Sequence, residues 1–89
     1  MYRIVLITTE KCMGCSVMRG NIKEALTRTV KRITFEEMDM SQVDKTFLKV
    51  NRIKDFPCML LYRNDKLLFK YIGTAPTTFI NRWIDVNYM

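Results

Sequence analysis

With 89 residues, 48% hydrophobic and 27% charged, the chain has enough apolar side chains for one core, so we expect residues 1–89 to form one domain. Its longest apolar runs are only strand-sized, far below the roughly 20 residues that cross a bilayer, so we expect no membrane-spanning helix and no membrane partner. The net charge of +6 favours anionic partners, but the basic residues are scattered without interleaved aromatic rings, and we predict no nucleic-acid partner.

The N-terminus and the cysteine count bear on the cellular compartment. The segment from Met1 to Ile7 has one basic residue and an apolar stretch but no small-residue cleavage site, so we interpret it as a core strand. Three cysteines are an odd number, which argues against the structural disulfide framework of a small secreted protein. We therefore expect a cytoplasmic protein with one reactive cysteine pair.

The first half of the chain predicts strand, helix, strand and helix. Arg3 to Thr8 is rich in β-branched and aliphatic residues and predicts a buried strand. From Cys15 onward, apolar residues recur with helical spacing and predict a helix of about four turns: Val17, Met18, Ile22, Ala25, Leu26 and Val30. Ile33 to Met40 alternates like a second strand. Ser41 is a candidate N-cap for a second helix, whose predicted inward-facing residues are Phe47, Leu48 and Val50.

The second half predicts a hairpin and a last helix. The segment ending at Pro57 terminates the second helix, and Cys58 to Arg63 follows as a strand. Asn64-Asp65 predicts a two-residue turn, because both residues tolerate positive φ, and Leu67 to Ile72 returns as the paired strand. Thr74-Ala75-Pro76 then leads into a helix with an apolar stripe: Phe79, Ile80, Trp83, Ile84 and Val86.

The predicted order βαβαββα indicates an α/β fold. A helix joins the first two strands, which should be parallel, whereas the last two form an antiparallel hairpin. We therefore expect a four-stranded mixed sheet with three helices on its two faces. The cysteine pair then lies at a strand-to-helix corner, where such sheets expose their chemistry.

The Cys12-Met13-Gly14-Cys15 motif is the strongest functional signal. A thiol attacks a disulfide only as its thiolate, which the amides and dipole of a helix N-terminus stabilise, and Lys11 adds a positive charge beside it. We predict Cys12 as the nucleophile and Cys15, about one helical turn later, as the resolving thiol. Gly14 lets the loop bend and a partner backbone approach, and Met13 offers a flexible apolar contact.

Other interpretations of the cysteines remain open. The chain has no histidine and no second CxxC, so a zinc site lacks ligands, and we predict no metal and no cofactor. The alternatives are a thiolate metal carrier using Cys12, Cys15 and Cys58, or a redox-inactive peptide-binding module. Cys58 itself is predicted to be a small buried hydrophobe, although a position facing the CxxC would allow a regulatory disulfide with Cys12.

The order of elements, the CxxC at a helix start and Phe56-Pro57 before a hairpin together resemble the thioredoxin and glutaredoxin superfamily. The resemblance covers essentially the whole chain and implies a thioredoxin-like fold. It further implies that Pro57 is a cis-proline lying against the CxxC, and that Phe56 presents its backbone to the substrate backbone. Gly73 matches the family glycine that edges the same groove.

The sequence also departs from the common patterns of this superfamily. Lys11-Cys12-Met13-Gly14-Cys15 matches neither Trp-Cys-Gly-Pro-Cys of typical thioredoxins nor Cys-Pro-Tyr-Cys of typical glutaredoxins. The length is similar to that of short glutaredoxin-like thioredoxins, yet no Gly-Gly and acidic pair follows Ile72, so we do not expect glutathione binding. Only aliphatic residues surround Leu6, where thioredoxins carry a buried aspartate, and Glu10 is the nearest carboxylate in sequence.

These observations favour an enzyme, a protein disulfide oxidoreductase that serves electron transport and cell redox homeostasis. The expected partners are protein disulfide substrates and a thiol or flavoprotein reductant, with the protein itself monomeric. The motif does not fix the direction of electron flow, because that follows from the reduction potential relative to the compartment. We expect a reductant.

Overall fold

The computed structural model describes residues 1–88. The strands are β1 (Tyr2–Thr8), β2 (Ile33–Asp39), β3 (Cys58–Arg63) and β4 (Lys66–Ile72). The helices are α1 (Cys15–Thr27), α2 (Lys45–Val50) and α3 (Thr77–Asn87), with a short 3₁₀ turn at Met40–Gln42. The predicted order βαβαββα is confirmed.

The four strands form one mixed sheet in the order β2-β1-β3-β4. β1 runs parallel to β2 and antiparallel to β3, and β3 and β4 form the antiparallel hairpin. The two central strands are the most apolar and the most buried, because each is covered on both faces. This is the mixed α/β sheet that the sequence predicts.

Alternate residues of the central strands enter two separate cores. Ile4 and Leu6 of β1 point to the face covered by α1 and α3, where Met18, Ile22 and Ile80 join them. Val5 and Ile7 point to the opposite face, which α2 covers with Leu48. The sheet therefore separates the core beneath α1 and α3 from the core beneath α2, called here the α2-side core.

The strand register brings three chain segments to one end of the sheet. Thr8, the last residue of β1, is paired with Asp39, the last residue of β2. Ile7 is paired with Cys58, the first residue of β3. The loop that carries the cysteine pair and the segment that carries Pro57 therefore leave the sheet side by side.

Helix α2 differs from the prediction at both ends. Ser41 is not its N-cap, because Asp39 caps the 3₁₀ turn and Asp44 caps α2 by accepting a hydrogen bond from the Thr46 amide. The helix ends at Val50, well before Pro57. Val50 is exposed rather than packed inward.

Several other apolar residues also lie outside the core, contrary to the prediction. They are Val17, Val30, Phe79 and Val86. Val30 follows the end of α1, and the others lie beside the buried stripe of their helix instead of within it.

In the hairpin turn only Asn64, and not Asp65, has a positive φ. None of the helices within residues 1–88 has the length and apolar character needed to cross a membrane.

Candidate active site

The cysteine pair lies in the connection between β1 and α1 and is joined as a disulfide. The Cys12–Cys15 bond has an S–S distance of 2.00 Å and a Cα–Cα distance of 5.4 Å. Lys11, immediately before it, has a φ of 57°, which turns the chain sharply out of the strand. Cys15 is the first residue of α1, and its amide approaches the Cys12 carbonyl at 3.4 Å.

The two sulfur-bearing residues differ in exposure. Cys12 is half-buried, whereas Cys15 is 4% exposed. The N-cap Gly14 has no side chain to bond the first amides of α1, and the first turn holds no acidic residue. The positive end of the helix dipole is therefore not neutralised locally and can stabilise a thiolate at this corner.

A groove beside the disulfide, called here the disulfide groove, has a volume of about 530 Å³. Sequence analysis predicted Lys11, Met13 and the two cysteines as site residues, and all four line it. Met13 is 94% exposed, which leaves its thioether free to contact a partner. The remaining lining residues, which the prediction missed, are Thr8, Thr9, Ser16 and Arg19. Helical spacing could have identified Arg19, which lies one turn beyond Cys15 on α1.

Gly14 contacts the two segments that approach the cysteine loop from elsewhere in the chain. The Phe56–Pro57 peptide bond is cis, as the family resemblance implies, and Pro57 is buried. A Cβ added at Gly14 would lie 3.4 Å from Cδ of Pro57 and 2.7 Å from Cγ2 of Thr74. Glycine is therefore the residue that allows this close approach. Sequence analysis did not single out Thr74.

The segment from Gly73 to Ala75 is held on two sides. Gly73, with a φ of 112°, donates its amide hydrogen to the Pro57 carbonyl at 2.8 Å. The Ala75 amide donates to Sδ of Met18 at 3.4 Å, and Nδ2 of Asn21 donates to the Ala75 carbonyl at 2.9 Å. These bonds connect Pro57, the segment and α1 into one rigid frame around the disulfide. The side chain of Phe56 packs on the α2-side core.

Comparison with known proteins assigns the family. The family model described as Thioredoxin matches residues 2–86. The chain belongs to the thioredoxin family. Membership of this family and a disulfide-forming cysteine pair together support thiol–disulfide oxidoreductase chemistry for this thioredoxin-family chain.

Individual relatives are distant in sequence. Thioredoxin C-2 of Corynebacterium nephridii is 21% identical over 76 residues, which cover 85% of this chain and 69% of that protein. Thioredoxin-2, described as a component of malaria parasite protein secretion machinery, superposes with a TM-score of 0.80 at 14% identity, covering 98% of this chain and 84% of its own. A second malarial protein gives a TM-score of 0.79 at 13% identity, covering 100% and 99%. At these identities the solved structures show a shared thioredoxin fold.

The thioredoxin-family site in this chain has no carboxylate among the residues that line the disulfide groove. Leu6, at the position where the resemblance places an aspartate, is fully buried in the core beneath α1 and α3. Glu10 is exposed. No carboxylate that lines the groove is therefore in place to accept the proton that Cys15 must lose.

Arg19 connects the disulfide groove to the sheet through an ion pair with Glu37. Its Nε and Nη2 donate to Oε1 and Oε2 of Glu37 at 2.5 and 2.7 Å. The hydrogen bond from Arg19 lowers the pKa of Glu37 below its ordinary value, and the same bond raises the pKa of Arg19. This pair fixes α1 against the edge strand β2.

We expect Glu37→Gln to lower the melting temperature at pH 7, because it removes this two-point ion pair. A carboxylate with a lowered folded-state pKa stabilises the fold above its unfolded pKa of about 4.3 and loses that contribution as the pH falls through the folded value. Thermal melts should therefore show a difference from wild type at pH 7 that shrinks below pH 4. Glu36→Gln is the control, because the ion pair of Glu36 with Arg3 is long, at 3.7 Å, and exposed, so its loss should change the melting temperature little. If the melting temperature of Glu37→Gln were still lower than that of wild type by the same amount at pH 2, the stabilising role of the Arg19–Glu37 ion pair would be contradicted.

Cys58 is a buried free thiol on the other side of the sheet. It is 0% exposed and packs in the α2-side core with Ile7 and Leu60. Burial raises its pKa to about 11, so almost no thiolate exists at neutral pH. The arrangement agrees with the predicted buried hydrophobe. Within residues 1–88, no three His, Cys, Asp or Glu residues converge on a common metal position.

We expect Cys58→Ala to lower the free energy of unfolding by about 1 kcal/mol, because it leaves a small cavity, and to leave the rate of disulfide exchange unchanged. Urea titration measures the first effect and a peptide-disulfide assay the second. In wild type, iodoacetamide should label Cys58 only after unfolding. Labelling of Cys58 in the folded protein, or a lost exchange rate in the alanine variant, would contradict this role.

Proposed function

We propose that the protein reduces disulfide bonds in other proteins, with Cys12 as the attacking thiolate and Cys15 as the resolving thiol. The observation that carries this proposal is the disulfide itself at the N-terminus of α1, with one accessible and one buried cysteine. An incoming disulfide is expected to meet Cys12 rather than Cys15, because Cys12 is half-buried and Cys15 is 4% exposed. The unneutralised helix N-terminus and the adjacent Lys11 favour the thiolate on Cys12.

The reaction has two exchange steps. The Cys12 thiolate attacks one sulfur of the substrate disulfide, forming a mixed disulfide, and the other substrate sulfur leaves as a thiolate that takes up a proton. Cys15 then loses its proton and attacks the Cys12 sulfur, which releases the second substrate thiol and forms the Cys12–Cys15 disulfide. Two electrons pass from the protein to the substrate. A thiol or flavoprotein reductant returns them in the reverse sequence.

Recognition of the substrate is proposed to involve the frame around the disulfide. Phe56 would offer its backbone to an extended substrate segment beside Pro57, with Gly73 at the edge of the same groove. Met13 would add an adaptable apolar contact. A reducing compartment such as the cytoplasm suits this function, because the pair must be returned to the dithiol form after each cycle.

The test is a redox titration of the Cys58→Ala variant, in which only the pair can react. The protein is equilibrated in graded glutathione or dithiothreitol buffers, and free thiols are trapped with an alkylating mass tag. We expect one transition in which two thiols disappear together, at a potential near or below about −270 mV, as for a reductant. A potential near about −120 mV would indicate an oxidant. Absence of a Cys12–Cys15 disulfide at every potential would disprove the oxidoreductase function.

A further inference from the structure

A second concave surface lies beside α2, on the opposite side of the sheet from α1. It has a volume of about 860 Å³ and is called here the basic pocket. Its apolar floor comes from Leu48 and Ile53, with Met40 at its edge. Its polar lining consists of four cationic side chains: Lys45, Lys49, Arg52 and Lys54.

Within the described residues 1–88, no negatively charged side chain neutralises the positive charge of the basic pocket. None of its four cations takes part in an ion pair there, although four such pairs occur elsewhere. No carboxylate lines it. The nearest acidic residues in sequence are Asp44, which caps α2, and Asp55, which is exposed and outside the lining. All four cations are exposed, so the pocket presents a concentrated positive field to solvent.

The basic pocket opens near the end of the sheet that carries the disulfide. Met40 directly follows Asp39, which is paired with Thr8 at the end of β1. Lys54 lies three residues before Pro57, whose ring borders Gly14. The lining of the basic pocket is therefore joined, through Asp39 and through Pro57, to the end of the sheet that carries the disulfide.

We propose that the basic pocket docks an acidic segment of the protein whose disulfide is reduced, an inference that rests on the proposed function. Carboxylates of that segment would pair with the four cations, and one of its apolar side chains would cover Leu48 and Ile53. No aromatic ring lines the pocket, so the bases of a single-stranded nucleic acid would find no stacking partner. An acidic peptide with apolar residues matches both the charge and the floor.

The first test measures binding without any exchange chemistry. A fluorescent peptide rich in Glu and Leu and free of cysteine is titrated with full-length wild type and with Lys49→Glu/Lys54→Glu, and anisotropy is recorded. We expect the variant to bind about tenfold more weakly, because two attractive contacts become repulsive. The control is Lys66→Glu/Arg82→Glu, an equal change of net charge at exposed residues outside the pocket, which should bind within about twofold of wild type.

The second test measures exchange with a disulfide placed in the same acidic peptide. Lys49→Glu/Lys54→Glu should raise KM about tenfold with kcat unchanged, while turnover of a small neutral disulfide stays at the wild-type rate. The milder Lys49→Gln/Lys54→Gln gives the same comparison if the charge-reversed variant does not fold. Binding of the cysteine-free peptide without any exchange activity would leave the docking surface standing and remove the proposed function.

Two results would overturn the docking proposal. Equal weakening by the pocket variant and its control would show that only the overall charge matters. Tighter binding of an oligodeoxythymidylate than of the acidic peptide, lost in Lys49→Glu/Lys54→Glu, would assign the pocket to nucleic acid instead.

Discussion

Cys12→Ser is expected to slow the exchange of protein disulfides by at least about 1,000-fold. A serine hydroxyl forms no thiolate and cannot make the mixed disulfide, and the 4%-exposed Cys15 is too buried to replace it as the attacking group. The rate is measured with a fluorogenic peptide disulfide and dithiothreitol as the reductant. Cys58→Ala is the matched control, since it removes a cysteine that lies on the other side of the sheet.

Cys15→Ser should behave differently from Cys12→Ser, and this contrast tests the two roles. Cys12 would still attack, but no second thiol would release the substrate, so a covalent complex should accumulate and be visible by mass spectrometry. The complex should disappear on reduction. A trapped complex in Cys12→Ser and none in Cys15→Ser would reverse the assigned roles.

Gly14→Ala is expected to lower the free energy of unfolding by about 1–2 kcal/mol and to slow disulfide exchange. The new Cβ would lie 2.7 Å from Cγ2 of Thr74, so the Thr74 side chain or the cysteine loop would have to move. Either movement disturbs the frame that holds Pro57 beside the disulfide. Urea unfolding and the peptide-disulfide assay measure the two effects.

Thr74→Ser provides the rescue, because it removes the methyl group that the new Cβ would meet. In a double-mutant cycle, Gly14→Ala/Thr74→Ser should recover most of the loss of Gly14→Ala. Gly20→Ala is a matched control: Gly20 lies in α1, and a Cβ there has nothing within 4 Å. That change should stabilise the protein by about 0.5–1 kcal/mol. Failure of the serine to restore stability would mean that Thr74 is not the source of the strain.

Sequence patterns predict the order of elements correctly because the strongest local signals agree with the tertiary structure. β1 and β3 are rich in aliphatic residues and lie at the centre of the sheet, and Asn64 supplies the positive φ of the hairpin. The start of α2 was harder to predict, because Asp39, Ser41 and Asp44 can all cap a helix. The structure uses the two aspartates, and Ser41 lies inside the 3₁₀ turn.

The site was predictable only in part, for a similar reason. The two cysteines are three positions apart in sequence, and their chemistry follows from residue type and position at a helix start. Thr74 carries no such signal, since its importance comes from its close approach to Gly14, and the pairing of Arg19 with Glu37 likewise depends on the fold. The four cations of the basic pocket all fall between residues 45 and 54, but the concave surface that they share is formed only when α2 and the following loop fold.

The frame around the disulfide also sets the order in which the active site is completed during synthesis. Cys12 and Cys15 leave the ribosome before the Gly73–Ala75 segment, which bonds both Pro57 and α1. Until that segment can join them, the cysteines belong to an unfinished domain that lacks the close approach of Pro57 and Thr74 to Gly14. We therefore expect a nascent chain to acquire its specific disulfide chemistry only after β4 and the segment that follows it have emerged.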